Sequence, residues 1–437
     1  MYAIAVDVKN CVKDHHKFFR DSLPMIASEN LISPLAKEML LSDFGDRYAE
    51  GLPGARYYQG CKYIDIVESK CIELAKKLFN ARYADVRPIS GTVANLGVLF
   101  ALTKPGDTIS TVAVPHGAHI SSEKFGAVGV RGLNRVEYPF DFKNMNIDIE
   151  GTKKLIKETK PKLCLFGQSV FLFPTPIKEV LPAIDEIGAL VVYDAAHVLG
   201  LIGGGKFQDP LREGADVITG STHKTLPGPQ HGIVLAEGKN RGMEVERLER
   251  KLNYGVFPGV VSNHHLHCVA ALTITLAEHI KFGKEYASQI IANAKALGES
   301  MYELGFDVLC PHLGFTESHT LAIDVSKHGG GSLVVENLEK ANIVANKNLL
   351  PWDAVNKAME PSGIRLGLQE LTRIGMGKSE MNYIADLFKK IIIDRKKPEE
   401  IKNEVIELRK KFKYIHYCFG AEKKIEAHKY NELIDNV

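Results

Sequence analysis

The stretch LVVYDAAHVLGLIGGGKFQDPLREGADVITGSTHK, from Leu190 to Lys224, puts two charges where charge is hard to keep. Asp194 ends the apolar run Leu190-Val191-Val192-Tyr193. A run this short, bounded by Gly188 and by small alanines, reads as a buried strand. Lys224 follows a second short run, Asp216-Val217-Ile218-Thr219, after the turn-like Gly220-Ser221-Thr222. Both groups then stand just past the carboxyl ends of strands, where open α/β sheets bind ligands.

Each residue also has an ordinary reading. An Asp at a strand end caps a following helix, and a loop Lys faces solvent. Together they fit one cofactor, pyridoxal 5'-phosphate, which forms a Schiff base with a lysine and draws electrons into a ring whose nitrogen is protonated. A carboxylate beside that nitrogen keeps the proton on. At an effective dielectric of about 20, such a pair about 4 Å apart is worth roughly 4 kcal/mol before desolvation. Upstream, Ser90-Gly91-Thr92 precedes an apolar helix expected over Val93 to Leu102. Small residues at a helix N-terminus leave N–H groups and a favourable dipole end for a phosphate. A capping serine gives the same local sequence.

Further motifs occur in order along the chain: IASEN at 26–30, RYAEGLPGARYYQG at 47–60, SGTVAN at 90–95, DAAHVLGLI and GSTHKTLPGP around Asp194 and Lys224, NKN at 346–348 and SGIRLG at 362–367. In that order they resemble the serine hydroxymethyltransferase family, in its archaeal branch. The resemblance covers residues 20 to about 390. It implies an α/β fold of pyridoxal-phosphate fold type I. A mixed, mainly parallel seven-stranded sheet would form the large domain, with a smaller C-terminal α/β domain. The expected division is an arm over 1–33, a large domain over 34–284 and a small one over 285–437. The implied reaction is reversible transfer of the serine hydroxymethyl carbon to a reduced pterin, giving glycine, in a homodimer with shared sites.

The resemblance assigns roles residue by residue. Lys224 would carry the cofactor, with His223 beside it, Asp194 on the ring nitrogen, His119 stacked on the ring and His197 near the 3-oxygen. Ser90, Gly91, Thr92, Ser169, Ser221, Tyr48 and Gly259 would complete the cofactor contacts. Ser28, Tyr58 and Arg365 would meet the amino-acid substrate, and an arginine offers its carboxylate a planar fork. Glu50 would move a proton. Tyr57, Val114, Ala118, Ile120 and Asn348 would touch the carrier. Ser28 also reads as a cap, and Tyr57 as an interface-packing ring.

Some residues depart from the family pattern. Ala118 stands where a glycine is common, and Gln230-His231 where an arginine and a glycine are common. The segment VVSNHHLH is similar to the archaeal branch. Its His264, His265 and His267 lack the spacing of a closed metal site, and no metal is expected. HGGGS at 328–332 has no GxSxG partner and reads as a surface turn.

The remaining expectations follow from composition and pattern. The 437 residues, 45% hydrophobic and 25% charged, suit a globular protein of two or three domains. A formal net charge of +2 gives no bulk attraction to nucleic acid or membranes. Seven scattered cysteines without a CxxC pair read as reduced thiols, and no signal peptide or membrane span is seen, so a cytoplasmic location is expected. Phe18, Phe19 and Leu23 suggest a short helix in the arm. A charged helix is expected from Glu285 to Leu304. Alternation over residues 320–325 suggests a half-exposed strand. Lys397–Lys413 reads as a charged helix, with frayed residues after 420. Two rivals remain. One is a threonine-aldolase-type lyase on the same fold, disfavoured by Asn348 and the Tyr-rich loop. The other is a non-catalytic cofactor-binding protein, disfavoured because Glu50, Lys224 and Arg365 are all present.

Overall fold

The computed structural model describes residues 2–239 and 241–429. Its centre is a seven-stranded sheet. The strands are β1 (Tyr83–Asp85), β2 (Thr108–Thr111), β3 (Asn134–Glu137), β4 (Leu163–Phe166), β5 (Leu190–Asp194), β6 (Val217–Ser221) and β7 (Gly232–Ala236), in the order β1-β7-β6-β5-β4-β2-β3. Only β7 runs against the rest; its neighbours β6 and β1 both pair with it antiparallel, while β2 to β6 pair in parallel. The sheet is mixed and mainly parallel, as the sequence led one to expect.

The central strands β4, β6 and β7 are buried along their whole length, and β5 up to Asp194. This is why they read as unbroken apolar runs: parallel strands covered on both faces have no polar side to show. The turn expected at Gly220-Ser221 is instead the end of β6. Gly220 and Ser221 pair with Ile233 and Gly232 of β7, and that cross-strand pairing outweighs the local turn preference of the two residues.

Helix α1 (Tyr2–Arg20) is longer than the short arm helix expected, and none of its residues is buried. Leu23 is not part of it; Leu23 and Pro24 form a short strand paired with Ile343 and Val344. Helix α2 spans Lys62–Phe79 and α3 spans Gly91–Leu102. Helix α4 (Leu266–Glu303) runs unbroken through the point where the sequence pattern changes. Its residues from Val269 to Ile290 pack into the core of the seven-stranded sheet, whereas Ala294, Leu297 and Met301 pack into a second core. The change of pattern near residue 285 is therefore a change of core along one helix.

The second core lies on a four-stranded antiparallel sheet of β8 (Asp307–Val308), β9 (Thr320–Asp324), β10 (Asn346–Asn348) and β11 (Gly363–Gly367), ordered β8-β9-β11-β10. The half-exposed strand expected here is a correction: β9 is buried from Thr320 to Ile323. Leu321 and Ile323 face the second core. Ala322 packs with Val170, Leu172 and Phe173, and the Thr320 hydroxyl donates to the Phe171 carbonyl at 2.5 Å. The polar side of the alternation faces protein, not solvent. HGGGS is also corrected: Gly330 starts a helix running to Lys340, and Gly331 is buried in it. The charged C-terminal helix spans Pro398–Arg409. Of the segment expected to fray, Ala421–Lys423 forms a helical turn, and 430–437 lie outside the described residues.

Candidate active site

The ends of β4, β5 and β6, together with the head of α3, line a cavity of about 200 Å³. Polar residues stand at or just past the carboxyl end of each strand. Gln168 and Ser169 follow β4, Asp194 closes β5 with Ala196 and His197 behind it, and His223 and Lys224 follow β6. His119, beyond β2, closes another side. The strand register sets the chemistry: Asp194 pairs with Thr219 across β5 and β6. At Gly167, with φ +141°, any Cβ would lie 2.6 Å from the Asp194 carbonyl oxygen, so this bend tolerates only glycine.

Asp194 is held on both oxygens. Oδ1 accepts from the Ala196 N–H at 2.9 Å and Oδ2 from the Asn95 amide at 2.7 Å. The Thr219 hydroxyl donates to the Asn95 carbonyl oxygen at 2.5 Å and so orients that amide. The His119 Nδ1 accepts from the Ser121 N–H at 3.2 Å, which leaves the proton of the neutral ring on Nε2. Asn95 and Gln168 were not singled out from the sequence. Asn95 sits within the quoted SGTVAN, but only the tertiary fold brings its amide to Asp194.

At the head of α3 the Ser90 hydroxyl caps the helix, accepting from the Val93 N–H at 3.1 Å. The capping reading of Ser90 is thus realised, while the N–H groups of Gly91 and Thr92 have no carbonyl a turn earlier to reach. A Cβ on Gly91 would lie 2.3 Å from Ser221 Oγ, so the backbone must be bare here.

The cations are buried. Lys224 is 7% exposed, and burial pushes its amine down to about 8, against the pull of Asp194 and with help from Arg365. Burial likewise holds His223 to about 4, and Lys224 beside it adds to this. The His223 Nδ1 is buried without a partner. Burial, reinforced by Lys224 and Arg365, keeps His197 well below the ordinary histidine range. Its Nδ1 lies 3.4 Å from His319 Nε2, and the two rings stack. His319, also overlooked in the sequence, is held to about 3 by burial. Only its isolated place before β9 could have pointed to it.

Arg365, on β11, bridges the two sheets. Its Nη1 donates to the Ser169 carbonyl at 2.8 Å and its Nε to Asn346 Oδ1 at 3.2 Å. Burial lowers it to about 10.

Arg365 touches the rim of this cavity through the Ser169 carbonyl but does not line it, and Ser28, Tyr48, Glu50, Tyr57, Tyr58, Gly259, Val114, Ala118, Ile120 and Asn348 do not line it either. The loop with Glu50 projects elsewhere. Arg56, nearly buried, pins it by donating to the Gly51 carbonyl at 2.7 Å, to Asp65 at 2.8 Å and to Glu68 at 2.7 Å. The Tyr48 hydroxyl donates to Glu50 at 3.1 Å, and the Ser262 hydroxyl donates to the same oxygen. The rings of Tyr48 and Tyr58 are 4.9 Å apart, and Tyr57 is 74% exposed. Asn348 donates its amide to the Leu349 carbonyl at 2.6 Å.

Comparison with known proteins identifies the family. The family model for serine hydroxymethyltransferase matches residues 2–388. The serine hydroxymethyltransferase of Picrophilus torridus is 56% identical over 419 residues, covering 96% of this chain and 95% of its own. That of Methanopyrus kandleri is 54% identical over 429 residues, 98% of each chain. That of Thermoplasma volcanium is 52% identical over 433 residues, 99% of this chain and 100% of its own. With its fold and these relatives together, the chain belongs to the serine hydroxymethyltransferase family.

Proposed function

We propose that this chain reversibly transfers the hydroxymethyl carbon of serine to a reduced pterin carrier, releasing glycine, with pyridoxal 5'-phosphate held at Lys224. Asp194 and Lys224 meet in one cavity beside the head of α3, and this carries the reading. The residues present fit the cofactor. The bare backbone at Gly91 and the free first-turn N–H groups suit its phosphate, and the unpartnered His223 Nδ1 offers a buried polar atom toward the lysine end.

When bound, the cofactor supplies an electron sink for bonds at the substrate α-carbon. The chain's own residues supply the rest. Lys224, half neutral near pH 8, provides the amine. Asp194 retains lone pairs beyond those used by Asn95 and Ala196, with which it would hold the ring-nitrogen proton. Ser90, Gly91, Thr92, Ser169, Ser221, His119, His197 and His223 would surround the group. Arg365 would take the serine carboxylate, with Ser28 and Tyr58 near the substrate.

We read the chain as a homodimer in which the loop of Tyr48, Glu50 and Tyr58 enters the cavity of the other subunit, with Gly259. That none of these residues lines the chain's own cavity supports this reading. Glu50 would move the proton on the hydroxymethyl oxygen or on the carrier. Tyr57, Val114, Ala118, Ile120 and Asn348 would form the carrier slot. The proposed division is an arm over 1–33, a large domain over 34–284 and a small one over 285–437, joined by α4. Seven free cysteines suit a cytoplasmic location, and among the described residues no helix is long and apolar enough to cross a membrane.

The deciding assay measures glycine formed from serine with no carrier, with tetrahydrofolate and with tetrahydromethanopterin. Strong dependence on either carrier is expected. Equal rates with and without both would overturn the transferase reading.

A further inference from the structure

Outside the cavity, three soft donors from two elements converge. His231 immediately precedes β7, His265 is the N-cap residue of α4, and Cys268 lies in that helix's first turn. One ring nitrogen of each histidine and the Cys268 sulfur all lie within 4.8 Å of one another. None of the three lines the catalytic cavity. We propose that His231, His265 and Cys268 bind a divalent cation of the zinc type.

A second, independent observation points to a ligand. His231 is fully buried, and its Nε2 lies 2.7 Å from the Val86 carbonyl oxygen. A carbonyl only accepts, so Nε2 carries the proton and Nδ1 carries the lone pair. That Nδ1 is buried without a partner. An imidazole that donates to a backbone carbonyl on one side and offers a lone pair on the other is fixed in the tautomer a metal requires.

The donor set suits zinc, which takes imidazole nitrogen and thiolate sulfur together. Bonds of about 2.0–2.3 Å to a tetrahedral ion put ligand atoms roughly 3.3–3.8 Å apart, so the cluster needs to close by about 1 Å. His265 is exposed and supplies that adjustment, an entry path and an open fourth position for water. Its neighbours play other parts. His264 faces Glu68 at 2.8 Å and is committed there, while His267 stacks on His265 with ring centres 5.9 Å apart.

The cation would tie the start of β7 to the head of α4. Ser262 and Asn263, which lead into His264 and His265, hold the Glu50 loop. Asn263 Oδ1 accepts from the Ala49 N–H at 2.8 Å, and the Ser262 hydroxyl lies 3.1 Å from the Tyr48 hydroxyl. The cation therefore stiffens the seat of that loop. Zinc uptake displaces the Cys268 proton to solvent and involves no change of oxidation state.

The test uses the full chain with its cofactor, stripped with a chelator and dialysed against zinc(II), with the metal counted per chain. Cobalt(II) serves as a spectroscopic probe, read by its ligand-field bands and its sulfur-to-metal charge-transfer band. One ion per chain is expected, together with a rise of several degrees in the thermal midpoint. Cys268→Ser should abolish the charge-transfer band, and both it and His265→Ala should weaken zinc binding by more than about tenfold. Because His265 is exposed, that variant tests the site without disturbing the core. No stoichiometric zinc in the parent chain, or equal binding by both variants, overturns the proposal.

Discussion

The Asn95 side-chain amide donates to Asp194 Oδ2 at 2.7 Å, and its own carbonyl oxygen is held by the Thr219 hydroxyl. Asn95 is a positioning residue: it fixes the plane of the Asp194 carboxylate without standing beyond it. Asn95→Ala should leave the fold and cofactor binding intact and lower kcat by roughly 10–100-fold, the usual size of such supporting contacts, with a small change in KM for serine. Asn95→Asp should cost more, because Asp194 Oδ2 would lose its amide donor and face a second carboxylate. A loss confined to KM would show that Asn95 acts on substrate binding.

Asp194→Asn addresses the carboxylate itself. A neutral amide keeps the shape and does not hold a ring-nitrogen proton, so cofactor should stay bound while turnover nearly vanishes. Absorbance of the bound cofactor and steady-state rates separate the two effects. Near-normal turnover would remove Asp194 from the chemistry.

Lys224 gives a pH prediction that needs no turnover. Its amine is pushed down to about 8 chiefly by burial. In the cofactor-free chain, its reaction with an aldehyde or acylating reagent should rise with pH and reach half-maximum near 8. At that pH an ordinary lysine holds about two orders of magnitude less free amine. The sign for stability follows. The unfolded chain binds this proton more tightly, so this group's contribution makes the cofactor-free fold gain stability as pH rises from about 8 toward 10.5. Peptide mapping after borohydride reduction of the cofactor-loaded chain should place the label on Lys224. A label on another lysine would sink the assignment.

What the sequence made legible, and what it did not, has a physical pattern. Strand β5 could be read residue for residue from Leu190 to Asp194, because a strand buried on both faces is written as a bare apolar run. The Asp194–Lys224 pair was legible for the same reason, since each stands at the end of such a run. Long-range relations were not. The Asn95 contact with Asp194 spans 99 positions, and the His197 contact with His319 spans 122. No local pattern encodes either. The alternation of β9 was misread because Thr320 and Ala322 meet the segment 170–173, so both faces of the strand are covered. The unbroken α4 was hidden because its burial shifts from one core to the other partway along.

Arg365 occupies a bridge between the sheets, with Nη1 on the Ser169 carbonyl and Nε on Asn346. Arg365→Lys keeps one charge and loses the planar fork. The KM for serine should rise by roughly 10–100-fold, a loss of about 1.4–2.7 kcal/mol in binding, with a smaller effect on kcat. An unchanged KM would mean that the carboxylate binds elsewhere.

The last prediction concerns Glu50, whose Oε1 accepts from both Tyr48 and Ser262 in a loop that does not line its own chain's cavity. A carboxyl held by two hydroxyl donors is oriented for work at a neighbouring site. General acid–base work of this kind contributes about 10²–10⁴ in rate. Cleavage of allo-threonine without carrier uses a different proton path. Glu50→Gln should therefore impair carrier-dependent transfer from serine far more than carrier-free cleavage of allo-threonine. The shared-site reading adds a complementation test. Glu50→Gln and Lys224→Ala should each be inactive in transfer, yet a mixture allowed to exchange subunits should regain part of the activity. Hybrid dimers contain one site in which both residues are wild-type, and half of all dimers are hybrids at full exchange of equal amounts. Exchange is followed independently with a mass tag on one variant. If the tag shows hybrids and no activity returns, Glu50 and Lys224 do not work across the subunit boundary. If both reactions fall equally in Glu50→Gln, the residue binds substrate or holds the loop and does not move the proton.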